Sequence, residues 1–170
     1  MLVEIIFKFD QNSHIYYMQY PEIEKIVQDS LRGLKLDPES CKGEKSGQWN
    51  LKIKDSTVWI DVFNFEGNPE RWYVQVMSPL LKVPEKNHEA FAINCLEINH
   101  KLYGCSICKK GDWYYVISLR EAEGLDLSEM DAMVDRVGIY SSDYYGKLTF
   151  KFEGSWPPAP PAGSGEAPKD

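Results

Sequence analysis

The chain has 170 residues, 43% of them hydrophobic, with a formal net charge of −7 and a pI near 5.0. That length and composition suit one domain with a proper core and no need of disulfides or metal to hold it. The acidic balance excludes a nonspecific nucleic-acid role, because the phosphate backbone rewards clustered Lys and Arg.

Residues 1–20 read as an N-terminal extension. The first eight carry Glu4 and an apolar run too short for a signal peptide or a membrane span, and no longer run follows. A soluble, cytoplasmic protein with no membrane partner is expected. Val3, Ile5, Phe7 and Phe9 alternate with Glu4 and Lys8, and residues 15–20 also have strand character. An extra hairpin across Gln11, Asn12 and Ser13 is therefore expected.

Pro21 opens a helix in which Ile23, Ile26, Val27, Leu31 and Leu34 form a stripe opposite Glu22, Glu24, Lys25, Gln28 and Asp29. Gly33 and residues 37–47 end it. Three strands follow, over 48–54, 57–65 and 71–78, with turns at Asp55 and Ser56 and at Gly67, Asn68 and Pro69. This is an antiparallel meander.

Pro79 and Pro84 bracket residues 80–83, and Pro84 suits the first turn of a helix, where a missing N–H costs nothing. From His88 the apolar positions Phe91, Ala92, Cys95, Leu96 and Leu102 recur at spacings of three and four until Gly104 stops the helix. Asn99 lies on that apolar stripe. An uncompensated amide there would cost about 1–3 kcal/mol, so it is expected to hydrogen-bond a nearby backbone edge.

Residues 105–109 and 113–119 form a hairpin through Lys110, Gly111 and Asp112. Asp126 and Glu129 then make a capping box, with Leu125 and Met130 placed as a hydrophobic staple. Met130, Met133, Val134, Val137, Tyr144 and Leu148 continue one helical stripe. Gly138 within it costs about 1 kcal/mol against alanine unless something packs close. After Gly154 the composition turns to proline, alanine, glycine and serine, and residues 155–170 are expected to be a disordered tail. Pro157, Pro158, Pro160 and Pro161 within it suit polyproline II.

The order αβββαββα over residues 21–154 predicts an α+β domain: an antiparallel sheet with helices packed on one face.

The chemistry-bearing residues point away from catalysis. Cys105 and Cys108 form a C-x-x-C, a spacing used for thiol redox and for zinc. On a strand, however, residues three apart point to opposite faces and sit about 10 Å apart, too far for a disulfide. Cys41 and Cys95 supply no second close pair. A thiol redox or metal-binding protein using Cys105 and Cys108 is the alternative to a binding module. His14, His88 and His100 are scattered, and no Walker, dinucleotide or nucleophile-elbow pattern is present. No enzyme, cofactor or metal is expected.

The aromatic residues carry a partner hint. On the second strand Val58, Ile60 and Val62 share one face while Trp59, Asp61 and Phe63 share the other; on the third, Trp72, Val74 and Val76 alternate with Tyr73, Gln75 and Met77. The aliphatic face suits a helix-covered core. The other face makes Trp59, Phe63, Tyr73 and Met77 the candidate partner-binding residues. The competing readings are that the N-terminal hairpin, or Phe150 and Phe152, cover this face, or that it is a dimer seam.

The order of elements, with Met77, Ser78, Pro79 and Leu80, then Val83, Pro84 and Glu85, the run Leu96 to Asn99, the turn at Gly111 and Asp112, and Gly124, Leu125 and Asp126 with Glu129 and Met130, resembles the YbjN family, whose domain is similar to the type III secretion chaperone fold. The resemblance spans about residues 20–153. It implies a bacterial, cytoplasmic, non-enzymatic module, a regulator or chaperone-like binder of a protein or peptide, with homodimers among its secretion-chaperone relatives. The family has no established catalytic residues to carry over, and its N-terminal segment and proline-rich tail set this chain apart from a secretion chaperone.

Overall fold

The computed structural model describes residues 17–156. Helix α1, Tyr20–Gly33, starts at Pro21 in its first turn, where proline removes no needed donor. It buries Ile23, Val27 and Leu31 and leaves its charged side outward. Strands β1, Gln48–Ile53, β2, Ser56–Phe65, and β3, Asn68–Lys82, form the expected meander. Helix α2, His88–Asn99, is followed by the hairpin β4, Ser106–Lys110, and β5, Trp113–Glu121, and by α3, Leu127–Lys151. The strands make one antiparallel sheet in the order β1-β2-β3-β5-β4. This is the α+β architecture and element order that the sequence predicts.

Alternation along the strands divides the sheet into two unlike faces. Trp49, Leu51, Val58, Ile60, Val62, Val74, Val76, Val116 and Tyr114 point inward, into one core with Ile23, Val27 and Leu31 of α1, Phe91 of α2 and Met130, Val134, Val137 and Leu148 of α3. The helices thus bury their apolar stripes on one side of the sheet.

Several boundaries differ from the sequence expectation; β3, for one, already starts at Asn68, inside the expected turn. The segment around Pro79 belongs to β3, which runs on to Lys82, and α2 starts at His88 instead of at Pro84. The physical reason is a register shift between Pro79 and Leu81, since a bulge is where a strand tolerates a residue that cannot donate. Leu81 and Lys82 then still pair with Tyr114 and Trp113. Helix α2 also ends at Asn99, before Leu102, with Gly104 at φ 63° in the connection to β4. Ser155 and Trp156, assigned to the tail on composition, are packed: Ser155 is buried, and its carbonyl accepts from the backbone N–H of Glu85 at 2.9 Å. The Trp156 indole donates to the Lys82 carbonyl at 2.8 Å and meets the Phe91 ring edge-on.

The expected N-terminal hairpin falls mostly outside the described residues. Within them, Tyr17, Met18 and Gln19 are in no strand, and Tyr20 already opens α1.

Candidate functional site

The side of the sheet away from the helices holds all four candidate residues. Ladder register sets Trp59 of β2 opposite Met77 of β3, and Met77 opposite Ile117 of β5, so one apolar row crosses three strands. Two residues further along, Asp61, Gln75 and Leu119 form a mixed row, and beyond it Phe63 lies opposite Tyr73. The structure therefore brings the four together as two cross-strand pairs, Trp59 with Met77 and Phe63 with Tyr73, with one polar row between them.

The rings pack against each other. Phe63 and Tyr73 stack with centroids 5.8 Å apart, and Phe65 meets both edge-on at 5.5 and 5.1 Å. Trp59 reaches Tyr115 at 6.2 Å, across β3. Cross-strand aromatic pairs of this kind hold a sheet face in a fixed shape. Met77 is buried yet stands outside the helix-covered core, because its neighbours on the sheet surround it. Phe65 and Leu119 are 55% and 54% exposed.

Tyr115, Ile117, Leu119 and Phe65 extend the patch beyond the residues singled out from sequence. The signal was available for the first three: they alternate with Tyr114, Val116 and Ser118 along β5 just as Trp59 and Phe63 alternate along β2. Phe150 and Phe152 do not cover the patch. Phe152 packs into the core against Phe91, and Phe150 is 81% exposed at the end of α3.

The remaining chemistry does not assemble. Cys108 is the ladder partner of Tyr115 on the outer face, whereas Cys105, just before β4, interacts with Ser118 of the core-facing side and with Arg136. All four cysteines are free. Burial pushes the Cys105 thiol up to about 11 and the Cys95 thiol up to about 12, and burial raises Cys108 too. A redox or zinc cysteine needs the opposite, a thiolate held at neutral pH. His88 hydrogen-bonds the Tyr114 hydroxyl at 3.0 Å. A cleft of about 520 Å³, lined by Thr57, Pro79, Trp113, Ser141 and Tyr145 among others, opens where β2 and β3 part, but Asp55 is its only carboxylate and no histidine or cysteine faces it. Among the described residues no cluster of three or more His, Cys, Asp or Glu is placed to hold a metal ion.

No family model and no curated protein matches the chain. Solved structures do. A chain of the ExsC–ExsE complex superposes with a TM-score of 0.59 at 11% identity, covering 77% of this chain and 97% of its own. The HopA1–SchA chaperone–effector complex gives 0.54 at 10%, covering 76% and 98%. The Yersinia pestis type III secretion chaperone SycH in complex with a stable fragment of YscM2 gives 0.51 at 12%, covering 74% and 98%. The chain has a type III secretion chaperone-like fold. At these identities the likeness concerns the fold, and it spans nearly the whole length of each neighbour.

Proposed function

We propose that this chain is a non-enzymatic, cytoplasmic protein-binding module of the YbjN type, which holds a segment of a protein partner on the outer face of its sheet. The observation that carries the reading is the pairing of Trp59 with Met77 and Ile117, and of Phe63 with Tyr73 across one polar row, on the side of the sheet that no described helix covers. A rigid aromatic surface with polar residues interspersed is the composition of a protein interface. Two of the structural neighbours are chaperones captured with a protein bound, which supports a peptide or protein as the ligand class. The preference for YbjN rests on the strings around Met77 to Glu85 and Gly124 to Met130. Among the described residues no helix is long and apolar enough to cross a membrane, which accords with the proposed location.

The same reading includes a homodimer, and its support is α2. That helix buries Phe91, Cys95 and Ile98, yet Ile93 and Leu96 project from its other side, 51% and 69% exposed. A helix apolar on both sides is better suited to a second packing partner than to water.

The test pairs Trp59→Ser and Phe63→Ser in one chain whose circular dichroism and unfolding midpoint match the wild type. Crosslinking pull-downs should lose the proteins that the wild-type chain captures. An unchanged set of captured proteins together with unchanged self-association rules out this face as the site. Light scattering on Leu96→Glu should report a monomer where the wild type is a dimer.

A further inference from the structure

We propose that the cleft where β2 and β3 part is a pocket for one arginine side chain of the partner segment, at the end of the outer sheet face; the inference rests on the reading of that face as a protein-binding surface.

Position carries the first part of the argument. Thr57 stands two residues beyond Trp59, Pro79 two beyond Met77 and Trp113 two beyond Tyr115, so all three share the outer face and all three line the cleft. The pocket therefore begins about 7 Å, one strand repeat, past the Trp59–Met77 row. Ser141, Ser142 and Tyr145 of α3 line it as well, so it passes between the strands to the helix layer. Its volume of about 520 Å³ has room for a long side chain. Parts of the wall are fixed in place. Ser56 and Ser141 are 8% and 2% exposed, and the Ser141 hydroxyl accepts from Ser78 at 2.8 Å and donates to the Pro79 carbonyl at 3.4 Å.

The chemistry of the lining selects the guest. The Val62 N–H donates to the Gly47 carbonyl at 2.7 Å, on the β1 side, so alternation turns the Thr57 carbonyl toward β3. There the ladder has stopped at Trp59 and Met77, and Pro79 has no N–H to give it. To that acceptor the cleft adds the Asp55 carboxylate and the hydroxyls of Ser142 and Tyr145, while no lysine, arginine or histidine lines it among the described residues. An anion would meet Asp55 with nothing to offset it. An apolar side chain would drive water from these acceptors and offer no donor in return. A guanidinium supplies five N–H donors in one plane and stacks on aromatic rings, here those of Trp113 and Tyr145. The Trp113 ring already attracts one cation, since Lys82 Nζ lies 5.7 Å from its centre.

Titration of the full chain with Nα-acetyl-arginine amide, followed by NMR at the Trp113 indole N–H, tests this, with the citrulline amide as the uncharged isostere. The arginine probe should saturate and bind about tenfold more tightly than the citrulline probe, and Asp55→Asn should remove about that factor. Lys82→Gln, which takes away a like charge, should shift the affinity the other way. Equal binding of the two probes, no saturable shift at Trp113, or an arginine affinity that Asp55→Asn leaves unchanged overturns the assignment. Each of these results reads the cleft alone and leaves the outer face to stand or fall on the Trp59 and Phe63 substitutions.

Discussion

At the scale of single residues, the side chains that break a pattern explain most about the fold. Asn99 interrupts the apolar stripe of α2 because its amide completes the edge of the sheet: Nδ2 donates to the Ile107 carbonyl at 3.2 Å, and Oδ1 accepts from the Ile107 N–H at 2.6 Å. That pairing was legible in sequence, since a half-buried amide has to find a backbone partner. Asn99→Ala should cost about 1–3 kcal/mol in denaturant unfolding, with faster amide exchange along β4; unchanged exchange at Ile107 would show that the strand does not depend on the side chain. Gly138 is the second case. An added Cβ would lie 2.5 Å from Ile53 Cβ, so the glycine admits β1 against α3 and its poor helix propensity is offset by close packing. Gly138→Ala should destabilise by about 1–3 kcal/mol through overpacking, and Ile53→Ala in the same chain should recover part of the loss. Additive losses in that double-mutant cycle would contradict the contact.

At the scale of elements, caps and turns were easy to read and strand ends were not. The α3 capping box is present as expected: Glu129 N–H donates to Asp126 Oδ1 at 2.8 Å, and Asp126 N–H donates to Glu129 Oε2 at 3.1 Å. Such signals are local, with donor and acceptor three residues apart, so the sequence contains the whole interaction. The end of β3 is different. Pro79 and Pro84 resemble helix punctuation when read alone, and only the ladder to Trp113 and Tyr114, more than thirty residues away, keeps the chain extended to Lys82. The cap has a pH consequence. The hydrogen bond from the Glu129 backbone, followed by the one from Ser128, holds the Asp126 carboxyl below its ordinary 3.8. A depressed carboxylate stabilises the folded state fully above its unfolded value and loses that contribution as pH falls through the folded one. Asp126→Asn keeps an acceptor at every pH, so its stability should fall less steeply than the wild type below pH 4. Parallel curves of unfolding midpoint against pH would show that Asp126 adds nothing to the acid limb.

At the scale of the whole molecule, a five-stranded sheet with its helices on one side leaves the other side uncovered by any described helix, and alternation in β2 and β3 was enough to place four residues there. The full extent of the patch depended on the register between β3 and β5, a long-range pairing that no local pattern encodes. The closure of the covered side is also long-range. Ser155 accepts from the backbone of Glu85, Asn87 donates to the Ser155 hydroxyl at 3.1 Å, and Trp156 spans from Lys82 to Phe91, so the last described residues fasten the loop that leads into α2. Composition hid this, because one tryptophan beside a proline run does not look like core. Phe91 is fully buried, and its edge-on contacts with Tyr114, Phe152 and Trp156 make one aromatic cluster that joins α2, β5 and the C-terminal end of α3. Trp156→Ala removes one wall of that cluster and the hydrogen bond to Lys82, at a cost of about 1–3 kcal/mol. Because α2 makes its main strand contact with the edge strand β4 and few with the sheet centre, the loss should appear first as faster hydrogen exchange in α2, while β2 and β3 keep the protection of the wild type. Equal loss of protection in α2 and the central strands would mean that Trp156 supports the fold as a whole and does not act as a local fastening of α2.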